Sequence, residues 1–198
     1  MPSRPPPAAS LALAALAVFT VWITWRAKTL ETGSKEHPST PAIVGKPAPD
    51  FQLTSLDGRV VSLADFRGKK KVVVSFWASW CGPCRLEMPE LSRFYKSTHK
   101  DDAGFELLAI SIDDERAPAE TAAKEDKMPF PVLMDSESKT ANAYHVEAIP
   151  TLLVIDEQGK VVQGYTGLQT AMEVVLATDL GIKNYVPQFG GQTDAGGH

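Results

Sequence analysis

The only two cysteines of the chain, Cys81 and Cys84, lie in the stretch SFWASWCGPCRLEMPEL. Thiols at this spacing can form a structural staple, contribute two ligands to a metal site, or act as a dithiol that opens and closes. On a helix, positions i and i+3 place their Cβ atoms about 5–6 Å apart, close enough for a disulfide after modest adjustment. As a staple the bond is weak. Closing a loop of about four residues contributes roughly 2 kcal/mol, against about 4.7 kcal/mol for a loop of about a hundred. A structural zinc site usually takes about four ligands, but the histidines, His37, His99, His145 and His198, are scattered along the chain. No metal is expected, and the spacing favours a reversible dithiol.

The elements around the pair must therefore present a reactive thiol. The run KVVVSFWA is apolar on both faces, as a central, doubly covered strand requires. Residues 84–95 carry Leu86, Met88, Leu91, Phe94 and Tyr95 at helical spacing, with Pro89 as an expected kink. The cysteines thus fall where a buried strand gives way to a helix, whose free N–H groups favour a thiolate. Pro83 suits the first helical turn, having no N–H to lose. Lowering a thiol from pKa ~8.5 to ~7 raises its thiolate fraction at pH 7 about fifteen-fold, while intrinsic nucleophilicity falls about five-fold. The net gain is only about three-fold, so geometry and leaving-group behaviour must supply the rest.

Further along, DFQLTSLDGRVVSL predicts a hairpin about Asp57-Gly58. FELLAISID, FPVLMD, TLLVID and VVQGYTG read as strands, and RAPAETAAKEDK, SKTANAYHV and residues 169–180 as helices. Strands alternating with helices and ending in a hairpin indicate an α/β sandwich with a mixed sheet.

The 198 residues are 43% hydrophobic and carry a net charge of −4, with no basic block, which argues against nucleic-acid binding. Residues 8–25 are uncharged and, at ~1.5 Å per residue, would span about 27 Å as a helix, close to a hydrocarbon core of about 30 Å. The run ends in Trp22 and Trp25, which suit a membrane interface, and exceeds the usual signal-peptide core of about 7–15 residues. Residues 1–30 are accordingly expected to be an N-terminal anchor, with a cleaved signal as the alternative. Basic residues on both sides leave orientation open. Residues 31–42 read as a flexible linker, 43–185 as one domain and 186–198 as a Gly-rich flexible tail.

FWASWCGPCRLEMPEL together with AIPTLLVIDEQGKVV closely resembles the membrane-anchored, thioredoxin-like bacterial reductases of the TlpA, ResA and CcmG type. The likeness covers nearly all of residues 45–180. It implies a thioredoxin-like fold: a central mixed β-sheet flanked by helices, an N-terminal β-hairpin extension and a central strand–helix insertion. It also implies that Cys81 is the exposed nucleophile and Cys84 the shielded resolving thiol, with the redox-active disulfide standing in place of any cofactor. Trp80 and Gly82 would meet the substrate, Pro83 would tune the pair, and Pro150 would be a cis-proline facing the cysteines. The backbone of Ile149 would then be free to pair with an extended substrate segment. Ordinary thioredoxins carry a buried Asp where Ser75 stands here. Glu87 matches a glutamate typical of the anchored branch and is expected to assist proton transfer at Cys84 or to tune the pair, the plain alternative being a solvated helix glutamate.

The expected function is an extracytoplasmic protein-disulfide reductase at the bacterial inner membrane, with its domain on the periplasmic side. The resemblance offers apocytochrome c or copper-centre assembly factors as substrates and a CcdA- or DsbD-type membrane protein as electron donor. Two alternatives are weaker. A thiol peroxidase of the peroxiredoxin type would carry Pro and Thr where Val74 and Ala78 stand. A Sco-like copper module would have C-x-x-x-C and a distant histidine, for which His145 is the tempting match.

Overall fold

The computed structural model describes residues 40–99 and 103–187, together with Trp22. A hairpin comes first, β1 (Gln52–Ser55) and β2 (Val60–Ser62), with Gly58 at φ 86° supplying the left-handed turn position after Asp57. The central unit follows: β3 (Lys71–Trp77), α1 (Gly82–Thr98), β4 (Phe105–Ser111), α2 (Arg116–Glu125) and β5 (Val132–Met134). A short helix, α3 (Lys139–Ala143), leads to a second hairpin, β6 (Thr151–Ile155) and β7 (Val161–Thr166), and then to α4 (Met172–Leu180).

The strands form one mixed sheet in the order β2-β1-β5-β4-β3-β6-β7. β3, β4 and β5 run parallel, whereas β6 pairs antiparallel with β3 and β1 antiparallel with β5. Parallel neighbours need crossover connections, which α1 and α2 provide. This is the thioredoxin-like fold expected, with the N-terminal hairpin and the α2–β5 segment as its additions. Chain order reverses at β3, which has β4 on one side and β6 on the other. The crevice at the carboxyl end of such a strand is where open α/β sheets place their sites.

Alternation along the buried strands builds two cores. Val73 and Trp77 of β3, Leu107 and Ala109 of β4, and Leu152 and Val154 of β6 pack with Met88, Leu91 and Phe94 of α1 and Met172 and Leu176 of α4. The intervening residues, Val72, Val74 and Phe76 among them, face Ile43, Phe51, Leu63 and Tyr144 on the other side. A sheet covered on both faces explains why these strands read as continuous apolar runs.

Two expectations change. Leu86, assigned to the apolar face of α1, is 64% exposed, because the buried stripe runs through Cys84, Met88 and Leu91 instead. The last helix starts at Met172 rather than residue 169. The Gln169 side chain donates to the Thr166 and Gly167 carbonyls, and Ala171 takes a left-handed φ of 59°, so the chain turns helical only afterwards. The anchor expected at residues 8–25 lies outside the described residues apart from Trp22. Among the described residues, no helix is long and apolar enough to cross a membrane.

Candidate active site

Cys81 follows the carboxyl end of β3 by four residues and is the N-cap of α1, with Pro83 in the first turn. Cys81 and Cys84 are joined as a disulfide, with Cα atoms 5.2 Å apart. The Cys84 N–H donates to Cys81 Sγ at 3.2 Å, one of the free amides of the helix start. The two residues differ in access: Cys84 is fully buried, whereas Cys81 retains 6% of its surface beside exposed Trp80, Gly82 and Pro83. A helix N-terminus aimed at the outer sulfur stabilises a thiolate there when the bond is reduced.

The antiparallel register of β6 on β3 pairs Thr151 with Phe76, which carries the residues before Thr151 to the same edge as the cysteines. The Ile149–Pro150 peptide is cis, as the resemblance implies. The Ile149 carbonyl oxygen lies 3.9 Å from Cys81 Sγ. Thr151 holds this turn, its hydroxyl donating to the Ala148 carbonyl at 2.7 Å, while Gly167 N–H donates to the Pro150 carbonyl at 2.8 Å.

Glu87 is not a solvated helix glutamate. It is 1% exposed, and neither carboxyl oxygen has a hydrogen-bond partner. Burial, and secondarily the like charge of Glu90, pushes its pKa up to about 8. It therefore sits as a neutral acid at pH 7, one helical turn from Cys84, a separation of about 5–6 Å between Cβ atoms. The other buried side-chain atoms without partners among the described residues are Ser75 Oγ, Trp77 Nε1 and Ser92 Oγ. All belong to β3 or α1, the strand and helix that meet at the cysteines. Such an arrangement can exchange a thiol for a disulfide at the outer sulfur, and it keeps a protonated acid near the inner one. Among the described residues, no group of three or more His, Cys, Asp or Glu side chains is placed to hold a metal ion, so His145 does not join the two cysteines.

Two ties at the site were not visible in the sequence. Asp113, after β4, is 3% exposed, and its carboxylate accepts from Ser79 N–H at 2.9 Å, Ser79 Oγ at 2.6 Å and Ser111 Oγ at 2.6 Å. Arg85, next to Cys84, donates through Nε and Nη2 to the two carboxyl oxygens of Asp126 at 2.7 and 3.0 Å, and through Nη2 to Glu125 at 2.9 Å. An acidic residue just past a buried parallel strand, at the edge that carries the cysteines, would have pointed to Asp113. Nothing local links Arg85 to residues forty positions away.

The fold and the cysteine pair define a thioredoxin-like thiol–disulfide oxidoreductase. The profile of the AhpC/TSA family matches residues 44–163, and the chain belongs to that family. It is 38% identical over 135 residues to the thiol-disulfide oxidoreductase ResA of Geobacillus thermodenitrificans, which covers 68% of this chain and 76% of that protein. A Chlorobium tepidum crystal structure described as a thiol:disulfide interchange protein DsbE aligns with a TM-score of 0.60 at 34% identity, covering 69% of this chain and 94% of that one. StoA from Bacillus subtilis aligns with a TM-score of 0.56 at 28% identity, covering 66% and 98%.

Proposed function

We propose that this protein is an anchored extracytoplasmic reductase of protein disulfides, with Cys81 as attacking thiol and Cys84 as resolving thiol. The observation that carries this reading is the unequal pair: one cysteine partly open at a helix N-terminus and the other sealed beneath it. In the reduced enzyme the Cys81 thiolate attacks a partner disulfide, forming a mixed disulfide and releasing one partner thiolate. Cys84 then attacks Cys81 Sγ, closing the Cys81–Cys84 bond and releasing the second partner thiol. Two electrons and two protons pass to the partner. Glu87 exchanges a proton with Cys84, and a membrane dithiol donor of the CcdA or DsbD type restores the reduced pair. Trp80, Gly82 and the Ile149–Pro150 turn meet the substrate, for which apocytochrome c and copper-centre assembly factors are the proposed candidates. Residues 8–25 tether the domain to the outer face of the inner membrane, where thiols oxidise and need an electron supply.

Replacing Cys84 with Ser tests the order of attack. The C84S protein should accumulate mixed disulfides through Cys81, and their masses identify the partner. Adducts that form instead on Cys84 of a C81S protein, with none on C84S, would reverse the assignment. The reductase direction further requires a midpoint potential below about −180 mV, the region of isomerases and oxidants lying above it.

A further inference from the structure

The ties of Asp113 and Asp126 come from the two ends of one element. Asp113 lies three residues before α2, and Asp126 is the residue at its C-cap. One reaches Ser79, two residues before Cys81, and the other reaches Arg85, one residue after Cys84. Ile112 N–H also donates to the Trp77 carbonyl at 3.0 Å, extending the β3–β4 ladder up to this junction. The segment between β4 and β5 thus holds the redox motif on both sides, through the Ser79 backbone N–H before it and the Arg85 side chain after it.

We propose that α2 and its two end-turns are a clasp on the redox motif, with Asp113 and Asp126 as positioning residues that fix the chain before Cys81 and after Cys84. Each contact has a geometry that holds direction. Asp113 takes both the N–H and the hydroxyl of one residue, and Asp126 takes the planar fork of a guanidinium. Ser79 and Cys81 are at most about 7.6 Å apart between Cα atoms, so loosening the first contact frees the attacking sulfur directly. The clasp also brings negative charge to the motif. Asp113 has no cation among its partners, and Asp126 and Glu125 together outweigh Arg85. The first effect directs Cys81, and the second opposes the thiolate that the helix N-terminus favours.

Charged and titratable groups on the neighbouring elements are Glu87 and Glu90 in α1, Asp114 and Glu115 before α2, and His145 and Glu147 before β6. All are unchanged in the variants that follow. The inference rests on the reading of Cys81 as the attacking thiol, but its test needs no protein partner, so it can fail while that reading stands. In the reduced full-length protein, D113N and D126N should each raise the Cys81 thiolate fraction at pH 7 about threefold, read from the pH dependence of iodoacetamide alkylation. A threefold change corresponds to about 0.6 kcal/mol, the order of one charge removed at roughly 7 Å in a water-like dielectric. Equilibration with glutathione at pH 7 should move much less than the thiolate fraction, because the protonated thiol and the disulfide are both neutral at Cys81 and neither feels the removed charge. R85K keeps every charge but loses the fork, and should slow exchange with oxidised glutathione about threefold without moving the thiolate fraction. Unchanged alkylation and unchanged exchange in all three proteins, with only a lower Tm, would make these ties ordinary packing contacts and overturn the clasp. Native exchange rates in R85K alone would remove its helix-side half.

Discussion

Two buried carboxyl groups of this protein live under opposite conditions. Asp135, after β5, is 4% exposed, and its oxygens accept from Thr140 N–H at 3.1 Å and Ala141 N–H at 2.9 Å. Its neighbour Ser138 occupies the α3 N-cap at a left-handed φ of 52° and makes no capping bond, so the aspartate supplies the acceptors that the helix start needs. Glu87 is buried at least as deeply, and among the described residues its carboxyl has no hydrogen-bond partner. A satisfied buried acid stabilises its surroundings, whereas an unsatisfied one disfavours its own charged form and destabilises the fold wherever that form is forced. Retaining the second kind, one turn from a redox cysteine, fits chemistry better than architecture.

The largest consequence is a pH dependence of stability. Glu87 has a folded pKa of about 8 against an ordinary value of 4.5. The native protein therefore keeps a proton that the unfolded chain releases, and stability falls as pH rises between those values. Between pH 5 and pH 8 this one group should cost the oxidised protein about 2–4 kcal/mol, on the order set by ~1.4 kcal/mol per pKa unit. In E87Q that loss should disappear from denaturant midpoints measured across the range, while thiol–disulfide exchange slows about tenfold or more as an acid–base group is lost. A flat profile in the native protein would place Glu87 with the satisfied acids.

A somewhat smaller effect is expected at the other carboxyl. D135A leaves the Thr140 and Ala141 amides buried without an acceptor and should cost about 2–3 kcal/mol in urea denaturation. The glutathione exchange rate should be unchanged, because the group holds α3 and does not touch the cysteines. A cost below about 0.5 kcal/mol would mean that solvent already serves those amides.

Much of this arrangement was legible in the sequence because it is local. The continuous apolar runs at β3, β4 and β6 announced a sheet covered on both faces, and the Cys-x-x-Cys spacing after β3 located the site. The Asp57-Gly58 pair marked the hairpin because its turn demands a left-handed position at Gly58. What stayed hidden depends on packing that no short window contains. Glu87 looks like a surface residue by type, and only the rotation of α1 turns it inward while carrying Leu86 out to solvent. Arg85 and Asp126 meet because α1 and α2 cross over the same parallel strands. The resemblance supplied the cis Ile149–Pro150 peptide, which composition and periodicity do not reveal.

The smallest predicted effect asks how far the unsatisfied environment of Glu87 extends. Ser75 shares the parity of Val73 and Trp77 along β3 and so faces the α1 side of the sheet, where its hydroxyl has no partner among the described residues. If that hydroxyl contributes nothing to the fold, S75A should be neutral or stabilising by up to about 1 kcal/mol, since a buried hydroxyl without a bond is removed and only a small void is left. The fall in stability between pH 5 and pH 8 should persist in S75A, because its cause is the burial of Glu87 itself. A loss of more than about 1 kcal/mol, or a profile flattened as in E87Q, would instead make Ser75 and Glu87 parts of one polar unit between β3 and α1. The serine that replaces the thioredoxin aspartate would then share the proton chemistry that here falls to the helix.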